Sequence, residues 1–200
     1  MKYKIIGILL ILTICFSVCG VVLLKNNLNS DSCNTSVKDE VISAKIDEYS
    51  NLKDLSKDCD LIIYGTKKDE GEPQIINDEN GNLLAGYTLS NIRVDKIINK
   101  NKSIDVKKND TVAVLENEFY DKTDNTNYHI AGYCKMTNEK SYLIFLRYSE
   151  DDKWYIPTGV LYGKIPFDKN EKVMIDYDKD LSKSVDNVIN EIYDYYKVGK

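Results

Sequence analysis

The run IIGILLILTICFSVCGVVLL, residues 5–24, contains no charged side chain. As an α-helix rising about 1.5 Å per residue it would be about 30 Å long, the thickness of a bilayer's hydrocarbon core. A cleavable signal peptide has a shorter apolar stretch of about 7–15 residues, closed by small residues. Here the apolar stretch continues past Cys19 through Val21, Val22, Leu23 and Leu24. Residues 1–25 therefore read as an N-terminal transmembrane helix whose partner is the lipid bilayer through residues 5–24. Two alternatives stay open. Cleavage near Val18-Cys19-Gly20 would release the rest of the chain as a secreted protein, and lipid attachment at Cys15 or Cys19 would make it a lipoprotein. Lys2 and Lys4 precede the run, and positive charge stays on the cytoplasmic side, although Lys25 opposes that bias. The expected location is the cell membrane, single-pass, with the remaining chain outside.

An exterior location bears on the cysteines. Cys15 and Cys19 share one face of the apolar run, as small hydrophobes or as sites of lipidation or helix contact. Cys33, Cys59 and Cys134 lie beyond it, with no C-x-x-C spacing to suggest zinc. Oxidising surroundings permit one disulfide. Cys33 sits in the polar stretch NNLNSDSCNTSVK, whereas Cys59 and Cys134 flank strand-like segments, so Cys59–Cys134 is the favoured pairing.

Residues 26–50 read as a tether with short helical turns, since Val41, Ile42, Ile46 and Tyr49 fall at helical spacing. From residue 51 to 177 the pattern is of short strands between turns. DLIIYGTKK is a strand whose apolar run ends at Gly65, and Asn80-Gly81 marks a turn. YTLSNIRVDKII is a strand whose alternation changes phase between Leu89 and Ile92, which predicts a bulge. TVAVLE and YHIAGY follow. SYLIFLRY is apolar on both faces, so it belongs at the centre, with Leu143 and Phe145 facing one side and Tyr142, Ile144 and Leu146 the other. Glu150-Asp151-Asp152 is then a surface turn, and WYIP returns as the hairpin partner, which should be an edge strand or stop at Pro157, because Pro157 cannot donate a ladder hydrogen bond. LYGKIPF and EKVMIDY are further short strands. Over residues 178–200, Leu181, Val185, Val188, Ile189, Ile192, Tyr193 and Tyr196 form one apolar helical stripe. The expected fold is mainly β: a small OB-like barrel, closed or partly open, with a C-terminal amphipathic helix packed on it.

The chain carries a net charge of −5, and its first 25 residues hold three lysines and no acid, which leaves −8 on the rest. So acidic a surface suits no nucleic acid, whose phosphates need clustered Lys and Arg. No phosphate-binding glycine motif occurs, so no nucleotide cofactor is expected. DKTDNTN lacks the spacing and the glycine of a calcium loop, and the single histidine, His129, supplies neither a catalytic triad nor a metal site. No catalytic residue, metal ligand or cofactor is assigned. Fifteen tyrosines against four phenylalanines point instead to aromatics with one wet end. Tyr142, Tyr148, Trp154, Tyr155 and Tyr162, with Tyr128 and Tyr133, are the candidates for an exposed binding face.

DCDLIIYGT, YTLSNIRVDKII, TVAVLE, SYLIFLRYSEDDKWYIPTG and YGKIPF, in that order over residues 58–167, resemble a group of uncharacterised cell-surface proteins of low-GC Gram-positive bacteria. More distantly they are similar to the OB-like barrel of proteins related to tissue inhibitors of metalloproteinases. The chain departs from the group's pattern at Cys59, where alanine is usual, and at Asn138-Glu139-Lys140, where a glycine turn is usual. The matching segments are strand cores, so the resemblance implies a fold and no functional residue. The functional expectation is a non-catalytic extracellular module that binds a protein or glycan of the envelope. The alternative is an anchored or secreted hydrolase using surface carboxylates, which would need two acids flanking one cleft.

A C-terminally tagged chain should sediment with membranes and be digested by protease added outside intact cells. A soluble product beginning near Gly20 would show that the apolar run is a cleaved signal.

Overall fold

The computed structural model describes residues 36–175 and 178–198. The expected transmembrane helix and the polar stretch through Asn34 lie outside them. All elements below belong to the unit spanning Val37–Lys200. Among the described residues no helix is long and apolar enough to cross a membrane.

The chain is mainly β. Its strands are β1 (Lys38–Ile42), β2 (Leu61–Glu70), β3 (Gln74–Asn77), β4 (Leu83–Lys100), β5 (Thr111–Glu116), β6 (Glu118–Asp121), β7 (Thr126–Ile130), β8 (Ser141–Tyr148), β9 (Tyr155–Pro157) and β10 (Lys164–Pro166), with helices α1 (Leu52–Lys57) and α2 (Lys179–Tyr196). The main sheet runs β10-β8-β2-β4-β5-β9, and β9 also pairs with β8. The strands β8-β2-β4-β5-β9 thus close on themselves in a ring. All its pairings are antiparallel except the β5–β9 contact, Val114 against Tyr155.

Alternation places one face of each strand inside the ring. Leu61 and Ile63 of β2, Ile92 and Val94 of β4, Val112 and Val114 of β5, Tyr142, Ile144 and Leu146 of β8, and Tyr155 of β9 form the inner cluster, closed at one end by Ile104 and Val106. A second cluster lies outside the ring, where Ile62, Leu143, Phe145 and Ile165 meet Val185, Val188, Ile189, Ile192 and Tyr193 of α2. β8 is therefore apolar on both faces because each has its own cover, as its sequence requires. The hairpin forms with Leu146 opposite Pro157 and Tyr148 opposite Tyr155, and Glu150, Asp151 and Asp152 are exposed at its turn.

The helix is bounded by its own chemistry. Asp178 accepts from the backbone N–H groups of Asp180 and Leu181 at 3.0 and 3.1 Å, relieving unpaired donors of the first turn. Lys197, at φ 56°, ends it by donating its N–H to Tyr193 O at 3.0 Å. The short α1 is capped in the same way, by Asn51 Oδ1 accepting from Asp54 N at 2.9 Å.

Four expectations fail for identifiable reasons. Residues 38–42 are a strand, not tether, because they pair in parallel with β7 and complete a small sheet β1-β7-β6. In β4 no phase change occurs near Leu89: residues 86, 88, 90, 92 and 94 are buried in strict alternation, and polar Thr88 and Ser90 occupy inward positions. The expected bulge is nonetheless present, carried by the partner strand: the pairing shifts between Lys67 and Asp69 of β2, opposite Ile92 and Asn91, with further shifts between Ile62 and Ile63 and between Tyr64 and Gly65. Finally, residues 171–175 of the expected last strand supply only a bridge, Met174 to Tyr133. The strand over YHIAGY stops at Ile130, since Ala131 (φ 52°) and Gly132 (φ 76°) turn away in the left-handed region. Gly86 has a packing role: a Cβ there would stand 2.7 Å from the Phe119 ring, which lies over the β4 backbone.

Removing the Phe145 ring, which is fully buried beneath α2, should cost about 3–5 kcal/mol. Asp151→Asn on the exposed turn should change stability by less than about 0.5 kcal/mol. Urea denaturation of the two variants checks the order; equal effects would show that β8 does not carry the core.

Candidate functional site

The structure disperses the expected aromatic face. Tyr142 and Tyr155 point into the ring. Tyr162 is buried in the outer cluster, edge-on to Tyr49 at 5.7 Å. Tyr133 is buried as well, and Tyr128 stacks on Phe119 at 5.4 Å. Tyr148 is half-buried at the rim, 5.0 Å from Tyr155. Trp154 is half-buried as well, and its partner is Tyr87, 5.6 Å away between ring centroids. Sequence reasoning missed Tyr87, although its odd-numbered phase in β4 is the outward one.

Tyr87 and Trp154 stand on the face of the ring that α2 leaves uncovered. The outward residues there are Leu89, Asn91 and Arg93 of β4 and Thr111, Ala113 and Leu115 of β5, all exposed or half-buried. Leu89 lies opposite Leu115, and Asn91 opposite Ala113. Beyond the last pair, Thr88 with Glu116, come Tyr87 and Asn117. Two donors of this region, Trp154 Nε1 and Asn117 Nδ2, are shielded from solvent yet make no hydrogen bond within the protein. Shielded donors of this kind normally find an acceptor.

The chain's most concentrated charge is elsewhere, at one end of the ring interior. Here three strands change together from apolar to polar inward residues: Lys67 in β2, Ser90 and Thr88 in β4, and Glu116 in β5. Lys67 and Glu116 have no exposed surface. The Lys67 ammonium donates to Glu116 Oε1 at 2.9 Å, to Met136 O at 2.8 Å and to Glu70. Glu116 also accepts from Ser90 Oγ, from Tyr133 OH at 2.9 Å and from Met136 N at 2.7 Å. Burial, reinforced by Glu116, pushes the Tyr133 hydroxyl well above its usual range. Lys164, also buried, donates to Cys134 O, and its ammonium lies 4.6 Å from the Tyr133 ring centroid. Burial lowers its pKa. The signal for this network was present in TVAVLE, where Glu116 shares the phase of Val112 and Val114.

His129 ties β1 to the same region. Its Nδ1 lies 2.9 Å from Tyr133 O and 3.3 Å from Glu118 Oε2, and its Nε2 lies 3.1 Å from Asp39 Oδ1. Burial opposes the charged ring, but the carboxylates prevail and raise its pKa to about 9. Glu118 and Asp39 are correspondingly held below their usual values, Glu118 against its burial. Glu70 is lowered too, by Lys135 and Lys67 against burial. These acids are held ionised by fixed donors, which suits anchoring rather than proton donation to a substrate. Among the described residues no cluster of His, Cys, Asp and Glu could hold a metal ion.

The expected Cys59–Cys134 disulfide is not formed; both thiols are free. Cys59 is buried on the helix side, donating to Leu55 O at 3.1 Å and 3.4 Å from Thr158 Oγ1. Burial raises its pKa to about 11. Cys134 stands beside the Lys164 contact, where burial raises its pKa. No family model, curated protein or solved structure matches the chain.

The histidine clamp sets a pH dependence. His129 titrates at about 9 folded against an ordinary 6.5, so its stabilisation is whole below pH 6.5 and is lost as pH rises through 9. Glu118 and Asp39, lowered from 4.5 and 3.8, contribute above those values and lose that contribution as pH falls through the lowered ones. The melting-temperature gap between wild type and His129→Gln should thus be widest near about pH 6 and close by about pH 10, at about 2–4 °C per kcal/mol. A gap constant over that range would mean that His129 is not charged in the fold.

Proposed function

We propose that the protein is a non-catalytic binding module held at the cell surface by residues 5–24, and that its ligand is a glycan of the envelope. The ring is read as an OB-like barrel. Numbered along the ring's own strands, β2-β4-β5-β9-β8 is the order 1-2-3-5-4, with first and fourth adjacent and third and fifth parallel, as that fold requires. In OB-like barrels the outer face of the second and third strands, between the first–second and fourth–fifth loops, takes oligosaccharides and oligonucleotides. Here that face is β4–β5, and Trp154 sits at the end of the fourth–fifth loop.

The observation that carries the reading is the Tyr87–Trp154 pair on an uncovered sheet face. Aromatic rings stack on the apolar faces of sugars. The net −8 of the chain beyond residue 25 disfavours the oligonucleotide that the same face could otherwise accept.

Trp154 is the chain's only tryptophan, so its fluorescence reports directly on this face. Titration of the detergent-solubilised full chain with soluble peptidoglycan fragments should shift that emission. Trp154 removal deletes the reporter, so binding of Trp154→Ala and Tyr87→Ala is followed by calorimetry. Each should lose at least about tenfold in affinity, as a stacking contact worth about 1.4 kcal/mol implies. Unchanged affinity in both variants would overturn the reading.

A further inference from the structure

Arg147 and the turn after β9 enclose a pocket that the glycan-binding reading does not use. Arg147 points outward from β8, opposite Ile156 of β9. Segment 45–47 runs past this hairpin, and the gap between them is a cavity of about 210 Å³, lined by Lys45, Ile46, Asp47, Arg147, Ile156 and Val160 among others. Its walls are built rather than incidental. Gly159, at φ 64°, lets the turn approach so closely that a Cβ would lie 2.7 Å from the Tyr49 ring and 3.0 Å from Asp47 O. Val160 follows at φ 58°, a left-handed conformation that a β-branched side chain rarely adopts and that tends to persist at ligand sites.

The guanidinium is half engaged. Arg147 Nη2 donates to Asp47 Oδ2 and to Tyr49 OH, each at 3.0 Å, and Tyr49 OH donates onward to Asp58 at 2.8 Å. These contacts fix the plane of the group. Nε, shielded from solvent, makes no hydrogen bond within the protein. The Arg147 side chain is nonetheless 42% exposed, and its guanidinium, held in place beside a Lys and the aliphatic walls of Ile46, Ile156 and Val160, fits an anionic oxygen carried on a short apolar body. We infer that this pocket binds a small aliphatic carboxylate, with the Arg147 guanidinium and Lys45 receiving the carboxylate and the Ile46–Ile156–Val160 wall its side chain. The chemistry is shared by a free short-chain acid and by the C-terminal residue of a peptide. The inference is independent of the Tyr87–Trp154 face.

The test is an NMR titration of the detergent-solubilised full chain with three probes: isobutyrate, N-acetylalanine and N-acetylalanine amide. Amide signals of residues 45–47 and 156–160 should shift with the carboxylates and stay unmoved by the amide. Shifts with N-acetylalanine alone would assign the site to a peptide end; equal shifts with isobutyrate would assign it to a free acid. Arg147→Gln should abolish the shifts. Because Arg147 also braces Tyr49, the exposed Lys45→Gln is the second variant, expected to weaken binding about threefold to tenfold while leaving the fold intact. The inference is overturned if neither carboxylate shifts these signals, if the amide shifts them equally, or if Lys45→Gln binds as wild type.

Discussion

The fold depends on a buried ion pair, Lys67 with Glu116, at one end of the ring. Two unpaired charges in that position would each incur several kcal/mol of desolvation. The structure offsets this by giving Lys67 three acceptors and Glu116 four donors. Those partners come from β2, β4, β5 and the segment 133–136, so satisfying one pair of charges fixes how four parts of the chain meet. Removing one member of such a pair typically costs about 3–5 kcal/mol, a large share of the about 5–15 kcal/mol that holds a domain. The pair thus specifies register as much as it stabilises: slipping β5 by one residue would turn Glu116 outward and strand Lys67 inside.

From that end the ring is built by ordinary burial. Its interior is filled by Val, Ile, Leu and Tyr side chains, which leaves it a solid core rather than a container. The proposed binding therefore falls to the outside. Of the outer faces, α2 seals the one made by β8, β2 and β10, and the β4–β5 face stays uncovered with Tyr87 and Trp154 on it. The division follows from β8. A strand apolar on both sides demands a helix on one of them, and placing α2 there leaves the opposite wall of the ring open.

Several features were legible because they depend on near neighbours in sequence. The stripe Leu181 to Tyr196 becomes α2, and its cap at Asp178 is a short-range hydrogen bond. SYLIFLRY and WYIP pair across their acidic turn because the turn leaves them few other partners. The tether reading of residues 38–42 failed because KDEVI has no strand signal of its own. It becomes a strand only by lying along β7, where Asp39 meets His129.

What the sequence by itself determined is the mainly β character, the two-sided β8 strand, its hairpin and the terminal amphipathic helix. All of these rest on side-chain periodicity within a single segment. Only the tertiary structure decided that Lys67, Ser90 and Glu116 face inward, that Cys59 and Cys134 stay apart as free thiols, and that Trp154 pairs with Tyr87 rather than with the tyrosines near it in sequence. Each of those outcomes turns on partners far away along the chain. A polar residue reads as exposed until the distant group that satisfies it is in place, and an aromatic reads as exposed until the strand that buries it has closed the ring.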